Sequence, residues 1–161
     1  MNYYISEGAH KTSVQFFLNL LKSRLAGEFK EVQTPDDAKV IWDPDHSKSE
    51  PLAQSFYAKI NSRQGLSWKE VFSDHCEIKN NQGLFDYVAT CFYMVNCLQE
   101  FSLQESELDH FDRFKFSSSY QSSYKNIEVD LVGSILDDFI QEKVLKNANR
   151  NSKIFISHDI D

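Results

Sequence analysis

The chain has 161 residues, and 17 Lys and Arg set against 24 Asp and Glu leave a formal charge of −7. That excess of carboxylates argues against nucleic acid as a partner, because counterion-release binding needs clustered Lys and Arg. With 41% hydrophobic residues, including 13 Phe, 7 Tyr and 2 Trp, the composition excludes a disordered chain and suits one domain with a packed core.

Met1 to Ile5 reads as a short strand. From Thr12 onward Val14, Phe16, Phe17, Leu18, Leu20, Leu21 and Leu25 recur at helical spacing, and Gly27 stands where such a helix stops. Phe29 to Val32 and Ala38 to Trp42 read as strands, separated by the Thr34-Pro35-Asp36-Asp37 turn and followed by a turn at Asp43-Pro44-Asp45. Strand, helix, strand, strand predicts an α/β layer, because a helix this apolar must cover a sheet face. Ser49-Glu50-Pro51 predicts the start of a second helix, with Ser49 as N-cap and Leu52, Phe56, Tyr57 and Ile60 inward.

Between Ser62 and Asn81 the pattern weakens. Trp68 and Val71-Phe72 fit a short helix, Cys76-Glu77-Ile78 a strand, and Asn80-Asn81-Gln82-Gly83 a turn. Leu84 to Leu98 is apolar nearly all round and reads as a central helix, too short and too interrupted by Asp86 and Asn96 for a membrane span. Gln104 to Asp109 is a charged surface stretch and Ser117 to Ser123 a polar loop. Val129 to Val144 is an amphipathic helix with Leu131, Val132, Ile135, Leu136, Phe139 and Ile140 inward, and Asn147 to Ser152 is linker-like. The fold class expected is α/β: a small, mostly parallel sheet covered by about four helices in one layer-type domain.

Cys76, Cys91 and Cys97 form no CxxC pair, so reduced, buried thiols are expected. The N-terminus has no basic stretch leading into an apolar one, which gives a cytoplasmic location as the expectation. His10, His46, His75 and His110 offer no pair at ligand spacing, and Gly8, Gly27, Gly65, Gly83 and Gly133 are too scattered for a phosphate loop. At the other end, Lys153-Ile154-Phe155-Ile156 reads as a strand running into Ser157-His158-Asp159-Ile160-Asp161. Carboxylates and an imidazole placed after a strand are groups a divalent metal accepts, in a position that sheet and barrel enzymes use for catalysis.

Two stretches carry a family resemblance. Phe85-Asp86-Tyr87-Val88-Ala89-Thr90-Cys91-Phe92-Tyr93-Met94 with Gln99-Glu100, then Asp109-His110-Phe111-Asp112-Arg113-Phe114, Tyr124, Asn126 and Val129-Asp130, lead to Ile154-Phe155-Ile156-Ser157-His158-Asp159-Ile160-Asp161. This order resembles the uncharacterised N-terminal domain that precedes the catalytic barrel in a group of bacterial polysaccharide-deacetylase-like proteins. Asp112 stands where that group usually has glycine, and Ile160 separates two aspartates that its better-known pattern has adjacent.

The resemblance implies an accessory α/β domain over residues 1–152, and the first strand and first motif of a missing deacetylase barrel over 153–161. It implies Asp159 as the catalytic base of the parent protein and Asp161 as a metal-binding carboxylate. The parent's metal would be zinc, and this chain would hold no cofactor. The expected partner is the C-terminal barrel, of about 200 further residues, with carbohydrate as a second partner and no membrane span. The isolated chain is expected to be non-catalytic. The parent reaction would be metal-dependent hydrolysis of an N- or O-acetyl group on a carbohydrate, and the alternative is a complete small interaction protein linked to surface-polysaccharide biosynthesis. Arg113, beside Phe114 and Phe116, is expected to form a buried structural ion pair with Glu100 or Asp130. Trp68, Tyr120 and Tyr124 are candidates for stacking on sugar rings, with core packing as the alternative.

Overall fold

Period-two alternation in the first residues buries Tyr3 and Ile5 and leaves Asn2 exposed, which is how a strand seats one face on a core. The computed structural model describes residues 1–25, 27–62, 66–101 and 103–145. In it β1 (Asn2–Ile5), β2 (Lys30–Glu31) and β3 (Val40–Trp42) form one open, three-stranded parallel sheet in the order β2-β1-β3. Asn2 and Tyr3 align with Lys30 and Glu31, and Tyr3, Tyr4 and Ile5 align with Val40, Ile41 and Trp42. Every residue of β3 is buried, the mark of a parallel strand covered on both faces.

Parallel neighbours need a crossover, and α1 (Lys11–Arg24) supplies it between β1 and β2. Its buried residues, Val14, Phe17, Leu18 and Leu21, lie on one stripe, while Lys22 and Arg24 sit in the last turn where the helix dipole favours cations. There follow α2 (Gln54–Ser62), the single turn α3 (Trp68–Val71), α4 (Tyr87–Val95), the short α5 (Tyr120–Tyr124) and α6 (Leu131–Phe139), which runs on as a π-helical turn over Ile140–Val144. The sheet-covering helices are α1, α2, α4 and α6, so the expected α/β class is the observed one.

Aromatic rings fill the core in two groups. Trp42, fully buried, stacks on Phe139 at 6.2 Å and meets the edge of Phe17, joining β3, α6 and α1. Phe72 packs edge-on against both Tyr93 and Tyr120, at 4.8 and 5.2 Å. Gly133 answers to a close approach: a Cβ there would collide with the Asp130 carboxylate and with Nη2 of Arg24.

Several boundaries differ from expectation for identifiable reasons. The helix expected from Ser49 begins at Gln54, because the Ser49 hydroxyl accepts from Asp43 N at 2.9 Å and holds a loop instead. The expected strand at Phe29 to Val32 keeps only Lys30–Glu31, and that at Cys76 to Ile78 is replaced by an isolated antiparallel bridge between Lys79 and Phe85. The Leu84 to Leu98 helix is trimmed to Tyr87–Val95. Asp86 caps its start, and beyond its end Cys97 turns left-handed at φ 49°. That turn leaves Cys97 exposed, against expectation, while Cys76 and Cys91 are buried; all three thiols are free. The helix expected from Val129 starts at Leu131, after the Asp130 cap. The linker-like stretch, the strand expected at Lys153 to Ile156 and the terminal motif lie outside the described residues.

Candidate functional site

Ligands of open parallel sheets sit outside the carboxyl ends of the strands, where the loops part. Here the loops after β1 and β3 leave that edge side by side, and two adjoining clefts open between them and their neighbours. The first, of about 290 Å³, lies between the β1–α1 loop (Glu7, Gly8, Ala9, His10) and α2 (Gln54, Tyr57, Ala58, Asn61). The second, of about 550 Å³, lies between the β3–α2 loop, from Pro44 to Leu52, and the turn from Asn80 to Leu84. Gln54 lines both.

A polar chain runs from the rim of the first cleft into the core. His10 Nδ1 is 2.8 Å from the Ser13 hydroxyl and Nε2 is 3.1 Å from Oδ1 of Asn61, so the ring donates to Asn61 and accepts from Ser13. The imidazole stacks on Tyr57 at 4.8 Å. The Tyr57 hydroxyl donates at 3.1 Å to Asp86 Oδ2, which also accepts from Ala53 N at 2.6 Å, while Oδ1 accepts from Ala89 N at 2.8 Å. Asp86 is completely buried, and one carboxylate thus joins the start of α2, the start of α4 and the floor of the cleft.

The partners of Asp86 are neutral donors, and burial pushes its pKa up to about 6 even though the hydrogen bonds from Ala89, Ala53 and Tyr57 pull it down. Burial and the adjacent Asp86 likewise hold the Tyr57 phenol well above its usual range. Ser, His and Asn in a row resemble a nucleophilic triad in composition only, because Ser13 is wholly buried and its hydroxyl cannot reach a substrate in the cleft. Nor do these residues suit a metal: Asp86 is ringed by hydrogen-bond donors, which a cation would face unfavourably. Among the described residues no group of three or more His, Cys, Asp and Glu is placed to hold one.

The residues singled out in the sequence are scattered. Arg113 is turned to Asp109, four residues back, with Nη2 at 2.8 Å from Oδ2, and lies over the Phe111 ring; it meets neither Glu100 nor Asp130. The pair is also not buried, since the Arg113 side chain is 70% exposed. A tight turn brings Asp109 within reach before any distant acid, and Asp112 takes the left-handed conformation at φ 60° that this turn needs. Asp130 caps α6 through Gly133 N at 2.8 Å and pairs with Arg24 at 3.1 Å, while Glu100 is exposed on a 3-10 turn without an ion pair among the described residues.

The ring candidates pack rather than present faces. Tyr120 is buried, Trp68 Nε1 donates to Ser118 O at 2.8 Å, and Tyr124 meets Trp68 edge-on at 5.8 Å. Asp159 and Asp161 lie outside the described residues. No helix among the described residues is long and apolar enough to cross a membrane. What the sequence reading missed was Asp86 as a structural centre, although an Asp directly before an apolar helical run is a capping signal. Comparison with protein-family models, curated proteins and solved structures finds no match to this chain.

Proposed function

We propose that the chain is a non-catalytic N-terminal accessory domain of a polysaccharide-deacetylase-like protein, in which the metal and the hydrolysis of a carbohydrate acetyl group belong to a C-terminal barrel. The resemblance from Phe85 to Asp130 and from Ile154 to Asp161 motivates the reading. One observation carries it: the carboxylate and the imidazole beneath the smaller cleft, Asp86 and His10, are engaged in holding the fold. Asp86 accepts from two helix starts and from Tyr57, and His10 is bonded through both ring nitrogens. In this reading Asp159 is the base and Asp161 a zinc ligand of the intact parent, whose barrel is the partner of this domain, in the cytoplasm.

A zinc titration of the purified chain, combined with an assay of acetate release from acetylated glycans, tests the proposal. The expected result is no stoichiometric zinc binding and no acetate. Tight zinc binding abolished by Asp159→Asn with Asp161→Asn, together with acetate release that stops on chelation, overturns it. The second reading, a small interaction protein of surface-polysaccharide biosynthesis, draws on the exposed rings of Phe101, Phe111 and Phe116. It predicts that the reading frame does not continue past Asp161 into a barrel with paired histidines.

A further inference from the structure

The larger cleft at the carboxyl end of the sheet combines a rigid frame with polar side chains that the fold does not use. On one side, Asp43 Oδ1 accepts from Asp45 N at 3.2 Å, Asp43 O from His46 N at 3.0 Å, and His46 O from Ser49 N at 3.0 Å. The Ser49 hydroxyl closes that loop on Asp43 N. On the other side, Asn80 Oδ1 accepts from both Gln82 N and Leu84 N, at 2.9 and 3.0 Å, and Gly83 adopts the φ of +77° that the turn requires. Both walls are therefore fixed by hydrogen bonds within each loop, through Asp43, Ser49 and Asn80. Yet the side chains of Asp45, Gln54, Asn81 and Gln82, and Nε2 of His46, make no hydrogen bond among the described residues.

The chemistry of the lining selects the ligand. No Lys or Arg lines the cleft, so it offers no permanent cation to a phosphate or a carboxylate. Of its two acids, Glu50 is already paired with Lys143 at 3.3 Å. Side-chain amides, an imidazole and a carboxylate on fixed walls both donate to and accept from hydroxyl groups. Pro44 and the half-exposed Leu84 add apolar surface for C–H faces. A volume of about 550 Å³ is in the range of ligand clefts, and an open, polar one suits a ligand that brings its own hydroxyls.

We propose that this cleft is a binding site for an uncharged saccharide, gripped by Asp45, His46, Gln54, Asn81 and Gln82 without chemical change. The inference is drawn from the cleft and deepens the accessory-domain reading by giving its carbohydrate partner a site; its failure would leave the zinc and acetate experiment untouched.

Isotope-labelled chain titrated with cellotetraose, maltotetraose and an N-acetylglucosamine tetramer, and separately with oligogalacturonate and inorganic phosphate, provides the test. At least one neutral tetramer should shift amide resonances of residues 44–54 and 80–84 with saturation, and the two anions should not. Gln54→Ala and Asn81→Ala, both at exposed positions, should each weaken that binding by about three- to tenfold with an unchanged melting temperature. Saturable binding of phosphate or oligogalacturonate at these residues overturns the proposal. So does the absence of any neutral-glycan response there, or glycan binding indifferent to both substitutions.

Discussion

Asp86 and Asp109 play the same role in opposite settings. Each carboxylate accepts two backbone N–H groups and a side-chain donor: Asp86 from Ala53, Ala89 and Tyr57, Asp109 from Phe111, Arg113 and the Arg113 guanidinium. Yet burial drives the Asp86 pKa up to about 6, while the hydrogen bonds from Arg113 hold Asp109 below its ordinary value. Three hydrogen bonds without a cation do not offset the loss of water around a buried charge, whereas at the surface similar bonds keep the charge with no such cost. The interior acid therefore joins elements far apart in sequence, and the surface acid closes one local turn.

The sharpest way to break this contrast is Asp86→Ala, which leaves three buried donors without an acceptor and removes the cap of α4. We expect a loss of about 4 kcal/mol in urea unfolding. The pH dependence should also be large. Because the folded pKa of Asp86 lies above the ordinary value of 3.8, its stabilising contribution is complete below about pH 4 and is lost as pH rises through about 6. The gap corresponds to about 3 kcal/mol. Subtracting the stability profile of Asp86→Asn from that of the native chain between pH 4 and 7 should isolate this fall, and a flat difference would contradict it.

Tyr57→Phe removes one donor but leaves both backbone bonds, so about 1 kcal/mol should be lost. The fall in stability should then extend to higher pH, since the hydroxyl now lowers the Asp86 pKa. At the surface Arg113→Ala should leave the urea midpoint unchanged, its side chain being 70% exposed. A clear drop there would mean that the turn it closes is coupled to the core.

The parts legible in sequence were those fixed by local periodicity. The runs from Met1 to Ile5 and from Ala38 to Trp42, the stripe from Val14 to Leu21 and the apolar run of α4 identified the sheet and its covering helices. Boundaries were lost where a polar side chain took a role that periodicity does not show: Ser49 went to Asp43 rather than to a helix start, and Asp130 capped α6 through Gly133 N, so that the helix begins at Leu131. The ion pair expected at Arg113 failed for the same reason in reverse, since a near neighbour satisfied the guanidinium first. The two clefts were not legible at all, because Gln54, Asp45 and Asn81 become neighbours only when the loop after β3 folds against the turn before α4.

The seat of Trp42 gives this chain an optical property. Of its two indoles, Trp42 is sealed between Phe17 and Phe139, and Trp68 is half-buried with its N–H bonded to Ser118 O. Replacing Trp68 by Phe leaves a single indole in an apolar enclosure, whose fluorescence should lie at short wavelength and move to the red once water reaches it. Trp42 ends the strand that feeds the loop of the larger cleft, so the same lamp reports both on the integrity of the core and on any disturbance passed inward from that rim.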